Sequence, residues 1–240
     1  MPRLLQDTLH TLCIVLLCAW LGMAQAVAGS LTLLGVGGPA AGGAASYAFI
    51  NSTFSTGSGA NVSGSFNIGT AAANRVIIVA GVTQAAGTPT SVTVNSVSCT
   101  IDVGVTNVVI ASCPGVSYGS GAQTVAVNWS AGSFNGRGFS VWVGTNMTST
   151  TVVQKTNTTG APGNMTISVT ANDFMFGVYL SSNAGGPATW STSTQSPAAT
   201  ELLNSGCCGT ADWTISSTNA SFAAQPNFAS MTADAVATYH

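Results

Sequence analysis

The stretch Gln123-Thr-Val-Ala-Val-Asn-Trp129 decides the fold class. Val125, Val127 and Trp129 alternate with Thr124, Ala126 and Asn128, so every second side chain is large and apolar. That period of two marks a β-strand with one buried face. Outward from it, runs of the same kind recur at short intervals, bounded by Gly, Asn, Ser or Pro. The clearest cover residues 75–83, 91–99, 138–143, 164–170 and 174–181; weaker candidates cover 47–54, 62–68, 108–111, 151–155, 213–217 and 231–239. In Val76 to Val79 and Phe174 to Leu180 both faces are apolar, as expected for central strands covered on both sides. No segment beyond the N-terminal leader carries a capped apolar period of 3.6, the Ala-rich C-terminal stretch being the most ambiguous. The pattern predicts an all-β chain, with one β-sandwich of jelly-roll or Greek-key type over residues 47–240. A β-solenoid suits the composition, but no repeat of roughly 20 to 50 residues is found.

The leader begins Met1-Pro-Arg3, runs through the apolar segment Leu12 to Met23 and reaches Ala24-Gln-Ala26 and Ala26-Val-Ala28. A cationic start, an apolar helix and an A-x-A site describe a signal peptide over residues 1–28. The alternative is an uncleaved membrane anchor over residues 9–28, close to the ~20 apolar residues a spanning helix needs. Residues 29–46 form a Gly/Ala-rich arm or linker with little to pack. Export places the protein outside the cell, on a cell surface or on a virion surface.

Charge is nearly absent. Only 4% of the residues are charged, against about a quarter in an ordinary soluble domain. From Ser30 onward the cations are Arg75, Arg137 and Lys155, and the anions are Asp102, Asp173, Glu201, Asp212 and Asp234. A net charge of -2 leaves no basic field for phosphates, so nucleic acid is not an expected partner. His10 lies in the leader and His240 is the other histidine. A Ser-His-Asp or Cys-His mechanism needs an imidazole, so it is excluded unless His240 enters a site.

Of six cysteines, Cys13 and Cys18 belong to the leader. The other four allow three pairings. Cys99 and Cys113 flank an expected hairpin around Gly104 and are the favoured disulfide. Cys207 and Cys208 are adjacent between Gly206 and Gly209. They form a bond between neighbours, two free thiols, or bridges to another cysteine or chain; the residues leave these open.

Two carboxylates suffice for glycoside hydrolysis. Asp173, after Asn172, reads as a turn residue, and Asp102 reads as one near a hairpin tip. Glu201 and Asp212 bracket the Cys207-Cys208 loop, which makes a carboxylate-dependent polysaccharide hydrolase or lyase the weakest functional reading. No zinc spacing or calcium-loop motif is present, and no metal or cofactor is expected. Asn172, Asp173 and Asp212 are the nearest approach to calcium ligands.

Aromatic platforms ringed by neutral polar groups can hold sugars without charge. Trp190, Trp213, Tyr118 and Phe134 lie near Gly/Ser/Thr-rich connections and are the candidate ligand-binding residues, whereas Trp129 and Trp142 follow strand alternation and read as core. Seven N-x-S/T sequons, at Asn51, Asn61, Asn128, Asn146, Asn157, Asn164 and Asn219, are mainly a result of composition.

Three stretches carry a resemblance. They are Leu31-Thr-Leu-Leu-Gly-Val-Gly-Gly-Pro39, then Phe66-Asn-Ile-Gly-Thr-Ala-Ala-Ala-Asn-Arg75 with the strand after it, and the pair Gly138-Phe-Ser-Val-Trp-Val143 and Phe174-Met-Phe-Gly-Val-Tyr-Leu180. Over residues 31–240 the chain resembles the small all-β, virion- or tail-associated proteins of tailed phages and prophages. Its leader departs from them. The resemblance implies a non-enzymatic β-sandwich for attachment or display, with a surface glycan or host-surface receptor as partner. The alternative is a structural decoration or filament subunit that self-associates.

Overall fold

The computed structural model describes residues 43–56, 59–130, 136–159, 165–181, 190–192, 200–204, 207–226 and 231–240. The leader with its expected helix, and most of the arm, lie outside them. Every regular element among the described residues is a β-strand, and every strand pair is antiparallel.

The first half contains β1 (Ser46–Ser55), β2 (Asn61–Asn67), β3 (Val76–Thr83), β4 (Pro89–Val94), β5 (Val97–Ser98), β6 (Thr100–Val105), β7 (Val108–Pro114), β8 (Ala122–Trp129) and β9 (Arg137–Thr145). The strand expected over residues 91–99 is interrupted, because Asn95 and Ser96 adopt φ of 49° and 65° and turn the chain. Asn tolerates that left-handed region better than most residues. The second half contains β10 (Gln154–Thr159), β11 (Met165–Val169), β12 (Phe174–Ser181), β13 (Trp190–Thr192), β14 (Thr200–Asn204), β15 (Cys208–Thr214), β16 (Asn219–Pro226) and β17 (Met231–Tyr239). The ambiguous C-terminal stretch is thus a strand.

The first half has an inner sheet in the order β1-β9-β3-β7-β6 and an outer sheet in the order β2-β8-β4-β5. The second half repeats this, with an inner sheet β10-β17-β12-β15-β14 and an outer sheet β11-β16-β13. Matching β1 to β10, β2 to β11, β3 to β12, β4 to β13, β6 to β14, β7 to β15, β8 to β16 and β9 to β17 makes the two orders coincide, β5 being an addition. Hydrogen bonds outside the ladders coincide too. Thr83 N–H donates to Asn107 O at 2.9 Å and Ser181 N–H to Cys207 O at 2.6 Å. Likewise Gly115 N–H donates to Arg75 O and Ile215 N–H to Asp173 O, both at 2.8 Å. Before each third strand of a half stands Ala-Asn-charged: Ala73-Asn74-Arg75 and Ala171-Asn172-Asp173. The repeat is half of the β region, far longer than a solenoid unit.

Three apolar cores separate these sheets. Val62, Phe66, Val92, Val125 and Trp129 of the first outer sheet meet Ile77, Val79, Val109, Phe139 and Val141 of the first inner sheet. Met165, Ile167, Trp190 and Phe222 of the second outer sheet meet Met175, Tyr179, Trp213 and Val236 of the second inner sheet. Between them the two inner sheets face each other, with Val76, Ile78, Ala80 and Val82 against Phe174, Phe176, Val178 and Leu180. These two sets occupy matching positions, so like faces meet. The sequence pattern predicts one sandwich around one core; the structure instead stacks sheets around three. A strand with both faces apolar is the reason: β3 and β12 are buried along their whole length because each serves two cores.

Rings concentrate in the middle core. Phe176 lies 5.1 Å from Trp142, 5.3 Å from Tyr47 and 5.7 Å from Tyr239 between centroids. The hydroxyls of Ser140 and Thr210, both fully buried, pair at 2.6 Å across the same core.

Candidate functional site

Of the aromatic residues nominated by sequence, Trp190, Trp213 and Tyr118 are buried and form no surface platform. Trp190 is 5% exposed and Trp213 is 3% exposed, both within the outer core of the second half. Their rings lie 5.6 Å apart, and Trp190 also packs on Tyr179. Their small polar neighbours suggest loops, yet both residues sit in strands, where alternation turns them inward. Gly177 makes room for the larger ring, since a Cβ there would come within 2.7 Å of Trp190. Tyr118 is buried as well, and its hydroxyl donates to Ser98 O at 3.0 Å. Phe134 lies outside the described residues.

The few charges are placed mostly as structural parts. Arg75, 1% exposed, directs its guanidinium at the carbonyls of Ile68 and Gly115. Arg137 donates from Nε to Asn61 O at 2.9 Å. Asp102 is not at a hairpin tip: it occupies the irregularity between Ile101 and Val103 in β6, where a bulge re-aims a side chain. The hydroxyl of Tyr239 donates to its Oδ2 at 2.7 Å, and Lys155 Nζ donates to its backbone oxygen. Asp212 receives Tyr47 from the first half, and the Trp142 indole faces it without a hydrogen bond of normal geometry. Each acid therefore meets a phenol from the opposite half. Glu201 pairs in register with Ala211, not with Asp212, so these two acids are not opposed. Among the described residues no group of three His, Cys, Asp or Glu is placed to hold a metal.

Burial raises the Asp102 and Asp212 carboxyls above their ordinary value of 3.8, outweighing the opposing hydrogen bonds. A carboxyl that titrates higher when folded stabilises the fold fully below its unfolded value. That contribution is lost as pH rises through the folded value. The protein is thus expected to melt at a higher temperature near pH 4 than at pH 7, with the difference reduced in Asp102→Asn. Calorimetry at the two pH values checks this. An equal gap in wild type and variant would remove Asp102 as its source.

Cys99 and Cys113 form a disulfide, with Cα atoms 4.6 Å apart and within the normal span. Cys207 and Cys208 are bonded to each other, buried in the middle core at the start of β15.

One polar group stands apart from this structural use. His240 Nδ1 lies 2.9 Å from Asp173 Oδ1, and Asp173 Oδ2 accepts the Thr170 N–H at 2.8 Å. Asp173 is therefore the expected turn residue and also the anchor of an imidazole. Because a carboxylate only accepts, Nδ1 carries the proton here; Nε2 has no partner among the described residues. Asp173 is 1% exposed, whereas the His240 side chain is 42% exposed. The ring borders a cleft of about 430 Å³ with Thr148, Asn172 and Thr214 as further polar walls and Ala44, Ala45 and Phe174 as apolar ones. A second cleft of about 270 Å³, flanked by Tyr47, Ile50 and Ile68, has no charged or imidazole side chain in its wall. Sequence reasoning missed the first cleft. Its only signals were Asn172-Asp173 before a strand and the scarcity of histidine.

The outer sheet of the first half shows what the chain offers to solvent. Asn61, Ser63 and Ser65 of β2 lie beside Asn128, Ala126 and Thr124 of β8, and β4 continues the rows with Ser91 and Thr93. Asn128 donates to Ser91 Oγ at 2.9 Å within this face. The arrangement can hydrogen-bond in both senses but cannot form ion pairs. No protein-family model matches the chain, and no curated protein sequence does.

Proposed function

We propose that this chain is an exported, non-enzymatic attachment or display protein, built of two jelly-roll-like halves, that recognises neutral glycans on a surface. The observation that carries the reading is the use of its polar groups. The two acids Asp102 and Asp212 join the halves, while the exposed rows of the first outer sheet are hydroxyls and amides. Neutral groups of this kind match sugar hydroxyls, and no phosphate or sulfate requirement is built in. Expected on a glycan array is binding to uncharged glycans that changes less than twofold between low and high salt, because screening acts on charges. A steep salt dependence, or no bound glycan, overturns the reading.

The structural-subunit reading is favoured by a different feature. Strand β1, at the edge of its sheet among the described residues, exposes Phe49 at 38%, a large apolar side chain on a strand placed to meet another chain. Light scattering after size exclusion decides between them: a concentration-independent monomer removes self-assembly.

A further inference from the structure

The two halves match in strand order, β5 apart, and the ends of their last inner strands β9 and β17 are lined by different residues. In the first half Met147, 4% exposed, closes the notch beyond β9, with its N–H on Asn74 O at 3.0 Å. Its thioether lies where a Cβ on Gly144 would fall, beside Val76. The matching positions in the second half are Asn172 for Asn74, Phe174 for Val76, Thr214 for Pro114, Tyr239 for Gly144 and His240 for Thr145. Tyr239 fills the deep apolar seat and is fully buried. Above it Asn172, Phe174, Thr214 and His240 border the open 430 Å³ cleft. The cleft is thus a polar-rimmed recess with an apolar floor.

We propose that this recess is the ligand site of the protein and that its ligand is a neutral mono- or disaccharide; the assignment rests on the glycan reading above and gives it a location. The volume falls in the roughly 300–1,000 Å³ range of small-molecule sites. The rim supplies an amide at Asn172, hydroxyls at Thr148 and Thr214 and an imidazole, groups that donate to and accept from sugar hydroxyls. Ala44 and Ala45 supply the apolar wall against which C–H groups of a sugar pack, and Phe174, 6% exposed, closes the floor beneath them. The ring of His240 is held by a buried carboxylate whose other oxygen is already occupied, so the imidazole enters binding pre-oriented, which limits the ordering cost. Among the described residues no lysine or arginine lines the recess to select an acidic sugar.

The test uses the full chain, in which the imidazole signals of His240 are read against those of His10, the other histidine. Glucose, galactose, N-acetylglucosamine, cellobiose and lactose are titrated in turn, with glucuronate as the charged comparison. The expected result is a saturable shift of the His240 signals by at least one neutral sugar. The shift should be lost in Ala44→Trp and weakened at least tenfold in Thr214→Trp, two changes at exposed positions that narrow the recess from different walls. Asp173→Asn, which loosens the imidazole, should weaken the same sugar while the disulfides and the melting transition are retained. Array-bound glycans with unmoved His240 signals and unchanged binding by Ala44→Trp overturn the recess but leave the glycan reading standing. If no sugar shifts His240 and no glycan binds the array, both fall. A shift by glucuronate alone overturns the ligand class.

Discussion

Phe176→Ala is expected to lower the unfolding free energy by about 3–5 kcal/mol, the range for deleting a buried phenylalanine. Phe176 is fully buried and touches rings from both halves: Tyr47 and Trp142 from the first and Tyr239 from the second. Truncation removes apolar surface and leaves a cavity among aromatic rings, which collapse poorly because their shapes are fixed. The middle core has matching strands on both sides, so the loss is expected in a single cooperative transition rather than in one half alone. Urea denaturation followed by tryptophan fluorescence and far-UV circular dichroism reads both quantities. A cost under about 1 kcal/mol, or two separated transitions in the wild type, would sink the idea that one core joins the halves.

The second large effect concerns Cys99 and Cys113. Their bond spans a sequence separation of 14, and a closed loop of this size restricts the unfolded chain by about 3 kcal/mol in the chain-entropy account. The double variant Cys99→Ala, Cys113→Ala is expected to be less stable by about 2–4 kcal/mol. Reductant should lower the wild type toward the variant and leave the variant nearly unchanged. Cys207 and Cys208 enclose no loop, so their reduction offers little of this entropy. A wild type indifferent to reductant would remove the role assigned to the Cys99 bridge.

Much of the architecture is legible in local patterns. Alternation in residues 123–129 marks β8, and the doubly apolar runs 75–83 and 174–181 mark β3 and β12 as strands covered on both faces. The duplication is not legible, because packing preserves position and burial rather than identity: Ile78 faces the middle core where Phe176 does, and the clearest shared letters are the Ala-Asn before each strand. Strand β16 is hidden for another reason. Its sequence, Asn219-Ala-Ser-Phe-Ala-Ala-Gln-Pro226, has one large apolar side chain, Phe222, and small residues suffice elsewhere because Met165 and Trp190 fill the core. The candidate site is harder still. Trp190 and Trp213 are pulled inward by the area they bury, while the recess is made by residues far apart in sequence whose individual types are ordinary.

The meeting of like faces has a consequence for how the fold is held. Residues 146–153 tether two bodies that would otherwise have to find one another by diffusion, and a short tether keeps such partners at an effective concentration near the millimolar range. Severing that tether would leave the chemistry of the middle core untouched while making its assembly second order. Dilution, which cannot separate halves joined in one chain, would then become a denaturant.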